Sequence, residues 1–358
     1  MAVLTLLSIA APVAQATDLK SLTDIERVMD STPPHPGNQA DRVALYTDLD
    51  QWVEAPDTFY WMEDPKTSNP EFRDFYLRRI NRVLNEVKTT TVTKGAVIWK
   101  LYSSGFLIKT PTAVFAIDAV EGPIKNQCSP RDISGITFKW TEPMREEFAR
   151  LVDVLLITHW HYDHASWALA QKMIEAGKQV VTTEHNKEKW QPAPFAAKLT
   201  TLSPGVDHKV GPLVVRVFDG VQWMGIDPKS GDPLSNASDV PDNVYLIRDA
   251  QGATFLHQGD NRGRDFKDWA QQAVADGWHI DVWLFIMSWP KTLIKDIEQI
   301  NGPTLLIPGH EYEFCHKRRD DPRLGMNKLM NFYTTLRERC SQNKALIMSW
   351  GEHYRLEK

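Results

Sequence analysis

Apolar and polar positions along the chain form two textures that change near Thr91. Before that point apolar residues recur at helical spacing over Ser21–Met29 and Glu71–Val87, with Pro33, Pro34 and Pro36 closing the first segment. Trp52, Phe59, Tyr60 and Trp61 mark this stretch as one that packs against another surface. That surface is either an active site beneath a cover or, the preferred reading, the outside of the main domain. From Thr91 on, short β-rich runs take over. Ala96–Tyr102, Gly105–Ile108, Ala113–Ile117, Val152–Ile157 and Gln179–Thr183 read as strands. So do Leu213–Phe218, Asn243–Ile247, Ala253–Leu256, Thr304–Ile307 and Ala345–Met348. Helical segments at Met144–Leu151, Ala165–Ala176 and Met326–Cys340 are interleaved, and Val152–Thr183 reads as a βαβ unit. The pattern predicts an α/β domain over 91–358 behind a helical extension over 17–90.

Chemistry-bearing residues gather where predicted strands end. The run Val152–Ile157, broken only by Asp153, opens onto His159-Trp160-His161-Tyr162-Asp163-His164. Neutral imidazoles and a carboxylate are the donors that borderline metals such as zinc prefer. On an extended segment His159 and His161 face the same way. A turn into a helix would then bring Asp163 and His164 to a second position nearby, which is a two-metal layout. Four ligand-type residues within six positions outweigh the alternative of ordinary core or surface histidines. His185 and His208, each alone in a predicted loop or turn, read as surface residues.

The spacing HxHxDH resembles the signature of the metallo-β-lactamase superfamily, and three further motifs follow the family's order. Asp118, ending Ala113–Ile117, matches an aspartate that orients a metal-binding histidine. Gly259-Asp260, behind Ala253–Leu256, matches the motif whose aspartate bridges two metals, and Gly309-His310, behind Thr304–Ile307, matches the final histidine motif. The resemblance spans Thr91–Lys358. It implies an α/β fold, the four-layer αββα metallo-β-lactamase sandwich, with metals at one edge. It also implies His159 and His161 at one metal, Asp163, His164 and His310 at the other, and Asp260 between them. Asp118, Asp163 and Asp260 form the catalytic set it implies, with Asp163 also placed to orient a water. The order of elements looks most like the branch holding ascorbate-6-phosphate lactonase and N-acyl phosphatidylethanolamine phospholipase D. One departure stands out. The family's third histidine, after the strand matching Leu213–Phe218, is missing; Gln222 occupies the expected place, and Asp219 is the other candidate. An amide oxygen is a poorer zinc ligand than imidazole. The first metal position is therefore expected to be weak, altered or filled by a different metal. Arg262, Glu311 and His316 neighbour ligands and read as polar surface.

The implied activity is hydrolysis of an ester, lactone, amide or phosphodiester bond by a metal-activated water. One or two zinc ions would serve it, with iron or manganese as alternatives. The missing histidine keeps a second reading open, a non-catalytic protein that binds metal or ligand. An iron-dependent redox enzyme such as a persulfide dioxygenase is a third. The expected partner is a small-molecule substrate. A net charge of -5 over 358 residues gives no basic face for nucleic acid. The apolar run Val3–Val13, followed by Ala14-Gln15-Ala16, reads as a signal peptide over 1–16, although the first basic residue is only Lys20. That places the protein outside the cell or in the periplasm. The run is too short to span a bilayer, and no later stretch is long enough. Cys128, Cys315 and Cys340 allow at most one intramolecular disulfide and read as core or loop residues. Of thirteen tryptophans, Trp160, Trp167 and Trp223 fall near the predicted site segments.

Overall fold

Alternation of apolar residues along the strands sorts the core into layers, and the layers define the architecture. In a computed structural model of the chain the described residues are 20–36, 70–122, 138–222, 240–261, 266–286, 291–302, 304–310 and 344–358, with a few isolated positions between them, apart from Pro123. The first sheet holds β1 (Ala96–Lys100), β2 (Phe106–Lys109), β3 (Val114–Ile117), β4 (Val154–Leu156), β5 (Gln179–Val181) and β13 (His353–Leu356), in the order β13-β1-β2-β3-β4-β5. The second holds β6 (Asp207–Val210), β7 (Leu213–Gln222), β8 (Val240–Arg248), β9 (Thr254–His257), β10 (Val282–Ile286), β11 (Leu305–Gly309) and β12 (Lys344–Ala345), running β12-β11-β10-β9-β8-β7-β6. Both are mixed: β3, β4 and β5 run parallel, as do β9 to β12, while the other pairs are antiparallel.

Ile98, Phe115 and Leu156 from the first sheet meet Val215, Tyr245, Phe255 and Leu284 from the second in one buried cluster. Their neighbours Trp99, Ala116 and Leu155 point the other way, against helices. Those helices are α1 (Leu22–Ser31), α2 (Pro70–Thr89), α3 (Glu142–Leu151) and α4 (Trp167–Glu175), which contribute Ile25, Phe72, Ile80, Phe148 and Leu169. On the far side, Val244, Leu256 and Trp283 pack on α6 (Phe266–Ala275) and α7 (Lys291–Asn301). The order helix, sheet, sheet, helix is the αββα sandwich expected from the sequence. Because both faces of β1 and β10 are covered, these strands are buried at every residue and read as apolar runs, unbroken in β10 and up to Lys100 in β1. Each large side chain so buried contributes about 2 kcal/mol.

The N-terminal helices pack on the outside of the first sheet, fastened by buried cations. Arg79 reaches Asp30 at 2.8 Å and the carbonyls of Trp350 and Gly351 at 3.3 and 3.2 Å, and Arg42 pairs with Glu352. Ala345–Met348, expected as the last strand, is a strand only at Lys344–Ala345. Its apolar residues are used in crossing between sheets: Leu346 and Met348 enter the central core, whereas Ile347 and Trp350 face the helices of the first sheet. The chain then ends in β13, an edge strand beside β1 with alternating exposure that the sequence reading missed. His208, expected in a turn, lies in β6, where its Nε2 is 2.8 Å from the Ser203 carbonyl. The signal segment 1–16, the helix over Met326–Cys340, Trp223, Cys315 and Cys340 lie outside the described residues. Cys128 is buried, and its carbonyl accepts from Trp190 Nε1 at 2.6 Å. Among the described residues no helix is long and apolar enough to cross a membrane.

Candidate metal centre

Strand ends of both sheets meet at one edge of the sandwich. Asp118 follows β3, the 159–164 segment follows β4, Gln222 ends β7, Asp260 follows β9 and His310 follows β11. Extended chain does not bring His159 and His161 together. The backbone turns at His159, where the His161 N–H donates to the His159 carbonyl at 3.1 Å, and both His164 and Ala165 donate back to His161. The two rings end 4.8 Å apart. Ser166 then caps α4, its hydroxyl accepting from the Leu169 N–H.

Six side chains form two clusters of three. His159, His161 and Asp260 make one and Asp163, His164 and His310 the other, the donor atoms within each lying no more than 4.8 Å apart. His159 Nε2 is 3.2 Å from His161 Nδ1 and 3.9 Å from Asp260 Oδ2. His164 Nε2 is 2.9 Å from His310 Nε2 and 3.6 Å from Asp163 Oδ2. Asp260 Oδ1 is 3.3 Å from His164 Nε2, so this carboxylate touches both clusters.

The tautomers follow from the partners. His164 Nδ1 lies 2.7 Å from Asp118 Oδ2, which can only accept, so Nδ1 carries a proton and Nε2 is the nitrogen left to face the cluster. Thr158 donates to Asp118 twice, from its backbone N–H and its hydroxyl, each at 2.7 Å. With its proton committed, the hydroxyl accepts from His159 Nδ1 at 3.0 Å, which frees His159 Nε2 to face the cluster. Deeper still, His257 accepts from the Gly259 N–H at Nδ1 and donates through Nε2 to the Ser104 carbonyl at 3.0 Å.

Gln222 is buried, and its amide nitrogen donates to Asp260 Oδ2 at 2.8 Å. Asp219, on the opposite face of β7, is exposed and joins neither cluster. Trp160 and Trp167 are half-buried, packed on Trp190 with ring centroids 5.7 and 5.9 Å away. His185 opens α5 (Glu184–Trp190) and is in neither cluster. Arg262, Glu311 and His316 lie outside the described residues.

Asp242, which the sequence reading passed over, is a fourth buried carboxylate beside Asp118, Asp163 and Asp260. Its Oδ2 accepts the Asp260 N–H at 2.8 Å, and its Oδ1 lies 3.6 Å from His159 Nδ1. No spacing could have flagged it; only the pleat of β8 turns it inward.

These charges are mutually dependent. Burial and the neighbouring imidazoles hold His159 well below the ordinary histidine pKa. Burial also opposes charge on His164, but Asp260, Asp163 and Asp118 outweigh it and raise that pKa well above normal. Burial and the charge of Asp260 push Asp242 well up, whereas His310 and His164 overcome burial to pull Asp260 well down. Among the described residues Gln222 Oε1 and Asp242 Oδ1 are buried without a hydrogen-bond partner, and Asp260 Oδ1 lies 2.5 Å from His310 Nε2 and 3.3 Å from His164 Nε2. Converging lone pairs, clustered carboxylates and unpaired acceptors are what a bound cation would compensate. The residues present fit a metal centre.

No family model and no curated protein matches the chain. Among solved structures it is similar to an isothiocyanate hydrolase from Delia radicum gut bacteria, with 16% identity over 73% of this chain and 100% of that one, at a TM-score of 0.49. It is similar also to the metallo-β-lactamase fold protein YhfI from Bacillus subtilis, with 12% identity over 74% and 100% at 0.45. A third is CmlA, a diiron β-hydroxylase from Streptomyces venezuelae, with 12% identity over 75% and 55% at 0.45.

Proposed function

We propose that the chain is a metal-dependent hydrolase with two adjoining metal positions. The observation that carries this reading is the pair of three-donor clusters linked through Asp260. His159, His161 and Asp260, with Gln222 Oε1 as a fourth donor, would hold one ion. Asp163, His164 and His310, with Asp260 shared, would hold the other. When bound, such a pair supplies Lewis acidity toward a carbonyl or phosphoryl oxygen and a water acidic enough to ionise near neutral pH. The chain's own part is orientation. Asp118 and Thr158 fix two imidazoles with their lone pairs inward, and Asp242 holds the backbone of Asp260. Asp163 is the carboxylate positioned to accept a hydrogen bond from the attacking water. A donor set of imidazoles and carboxylates suits zinc, with iron or manganese as alternatives. Export through the Val3–Val13 segment belongs to the same reading; a mature chain lacking residues 1–16 would support it.

Metal analysis of protein purified without added metal, joined to assays on chromogenic esters, lactones, amides and phosphodiesters before and after chelation, tests the function. About two zinc ions per chain and chelator-sensitive hydrolysis are expected. Iron with oxygen-dependent turnover would replace this reading by redox chemistry. Tight metal binding without turnover on any substrate class would favour a binding protein.

A further inference from the structure

A groove of about 530 Å³ runs along the edge where β5 and α5 approach β7 and β8. That volume is in the range that holds a small-molecule substrate. Its walls reach neighbours of the metal donors on two sides. Leu156 pairs with Val181 across β4 and β5, so Thr183 on the groove wall stands level with Thr158, the residue before His159. On the opposite wall, the Asn243 N–H donates to the Thr158 carbonyl at 2.9 Å. Gly220 lies so close under Asn261, the neighbour of Asp260, that a Cβ there would be 1.9 Å from the Asn261 amide nitrogen.

The wall chemistry is one-sided. Among the described residues it holds Glu184 and Asp219, the hydroxyls of Thr182, Thr183, Thr201 and Ser203, and no lysine or arginine. Glu184 accepts from the Thr201 hydroxyl, but among the described residues neither carboxylate has an ion-pair partner. The remaining ionisable group on the wall, His185, is held below its ordinary pKa by burial and by Lys189. Thr183 is committed to capping α5. Thr182 is not: it lines the groove, is buried, and among the described residues its hydroxyl has no hydrogen-bond partner. A primary ammonium has three donors to place and one charge to balance. Two carboxylates and a spare hydroxyl acceptor beside a catalytic centre answer both needs.

We propose that this groove binds a positively charged amine carried by the substrate, remote from the bond that is cleaved. The proposal takes the adjoining metal centre to be the reacting site, as the proposed function holds. The test uses matched ligands on the full-length, metal-loaded protein: p-nitrophenyl 6-aminohexanoate against p-nitrophenyl hexanoate for turnover, and 6-aminohexananilide against hexananilide for calorimetric binding. The amine member of each pair is expected to show KM or Kd lower by about tenfold, a preference that shrinks with added salt. In the E184Q/D219N variant the preference should fall to about one. Both positions are exposed, so these substitutions leave the core packing intact.

Calorimetric preference for the amine without turnover of either ester would keep the amine groove and remove esters from the hydrolase reading, which the lactone, amide and phosphodiester assays then decide. Turnover of both esters with equal KM, or equal binding or no binding of the two anilides, would overturn the groove proposal and leave the hydrolase reading standing. Tighter binding of 6-hydroxyhexananilide than of the amine would overturn it in favour of a hydroxyl-bearing substrate.

Discussion

One carboxylate sets the orientation of two metal-facing imidazoles: Asp118 Oδ2 lies 2.7 Å from His164 Nδ1, and the same oxygen accepts the Thr158 hydroxyl that receives His159 Nδ1. Asp118 is fully buried and sits at φ 47°, a conformation uncommon outside glycine. Backbone strain at such a place is held only by its surroundings, here the two donations from Thr158.

Asp118→Asn keeps the shape but removes the full negative charge and offers an NH2 where His164 needs an acceptor. Metal affinity should drop by about 10- to 100-fold. Thr158→Val removes the acceptor for His159 Nδ1 and one of the two donations to Asp118, leaves the Asp118 charge on His164, and should weaken the His159 position most. Competition with a graded series of chelators separates these outcomes. Equal affinity in wild type and Asp118→Asn would remove Asp118 from the role assigned to it.

Gln222 stands where an imidazole would make a stronger donor, with its amide nitrogen on Asp260 and its oxygen unpaired among the described residues. Gln222→His should tighten the position formed with His159 and His161 by about tenfold or more, and Gln222→Ala should loosen it, with the His164 position unchanged in both. Biphasic metal release from the alanine variant, against a narrower transition in the histidine variant, is the expected signature. Release curves that coincide for all three proteins would mean that Gln222 is not a ligand.

How much of this was legible in the sequence follows from the range over which each feature is determined. His159, His161, Asp163 and His164 announce themselves because a single turn brings them together. Asp260 and His310 are legible only as short motifs in the right order behind strands. Gln222 and Asp219 could not be separated until β7 was seen to continue to Gln222, which places the two on opposite faces. Asp242, Thr158 and His257 act through neighbours remote in sequence or through tautomer choice, which no spacing encodes. For the fold, short β-rich apolar runs located most strands. β13 escaped because an edge strand with one exposed face lacks a dense apolar run, and the buried run before it was taken for the strand instead.

Gly259 is a position where the backbone leaves no room for a side chain. Its φ is +56°, and a Cβ would lie 2.3 Å from Asp242 Oδ1. Gly259→Ala must therefore displace Asp242 from Asp260, the residue touching both clusters. A loss of about 3 kcal/mol in unfolding free energy is expected, together with weaker metal binding at both positions. Denaturant titration of the metal-free protein isolates the first effect. A variant as stable as wild type would show that the turn relaxes freely.

The clamp between the N-terminal helices and the last strand titrates in acid. Burial works against the Glu86 carboxylate, but hydrogen bonds from His353, Arg82 and Trp99 outweigh it and lower its pKa to about 2. His353 Nδ1 is 3.0 Å away, Arg82 Nε 2.7 Å and Trp99 Nε1 2.9 Å. A folded-state pKa below the unfolded value of about 4.5 means that the unfolded chain binds the proton first. The contribution of Glu86 is thus fully present above about pH 4.5 and is lost as pH falls toward 2. Glu86 is in partial contact with solvent, so screening keeps the effect modest. In Glu86→Gln, Tm should be lower than wild type at pH 7, and the two should converge as the medium is acidified through that window. Parallel Tm profiles for the two proteins from pH 7 to 2.5 would show that the carboxylate charge contributes nothing to holding the Pro70–Thr89 helix against β1 and β13.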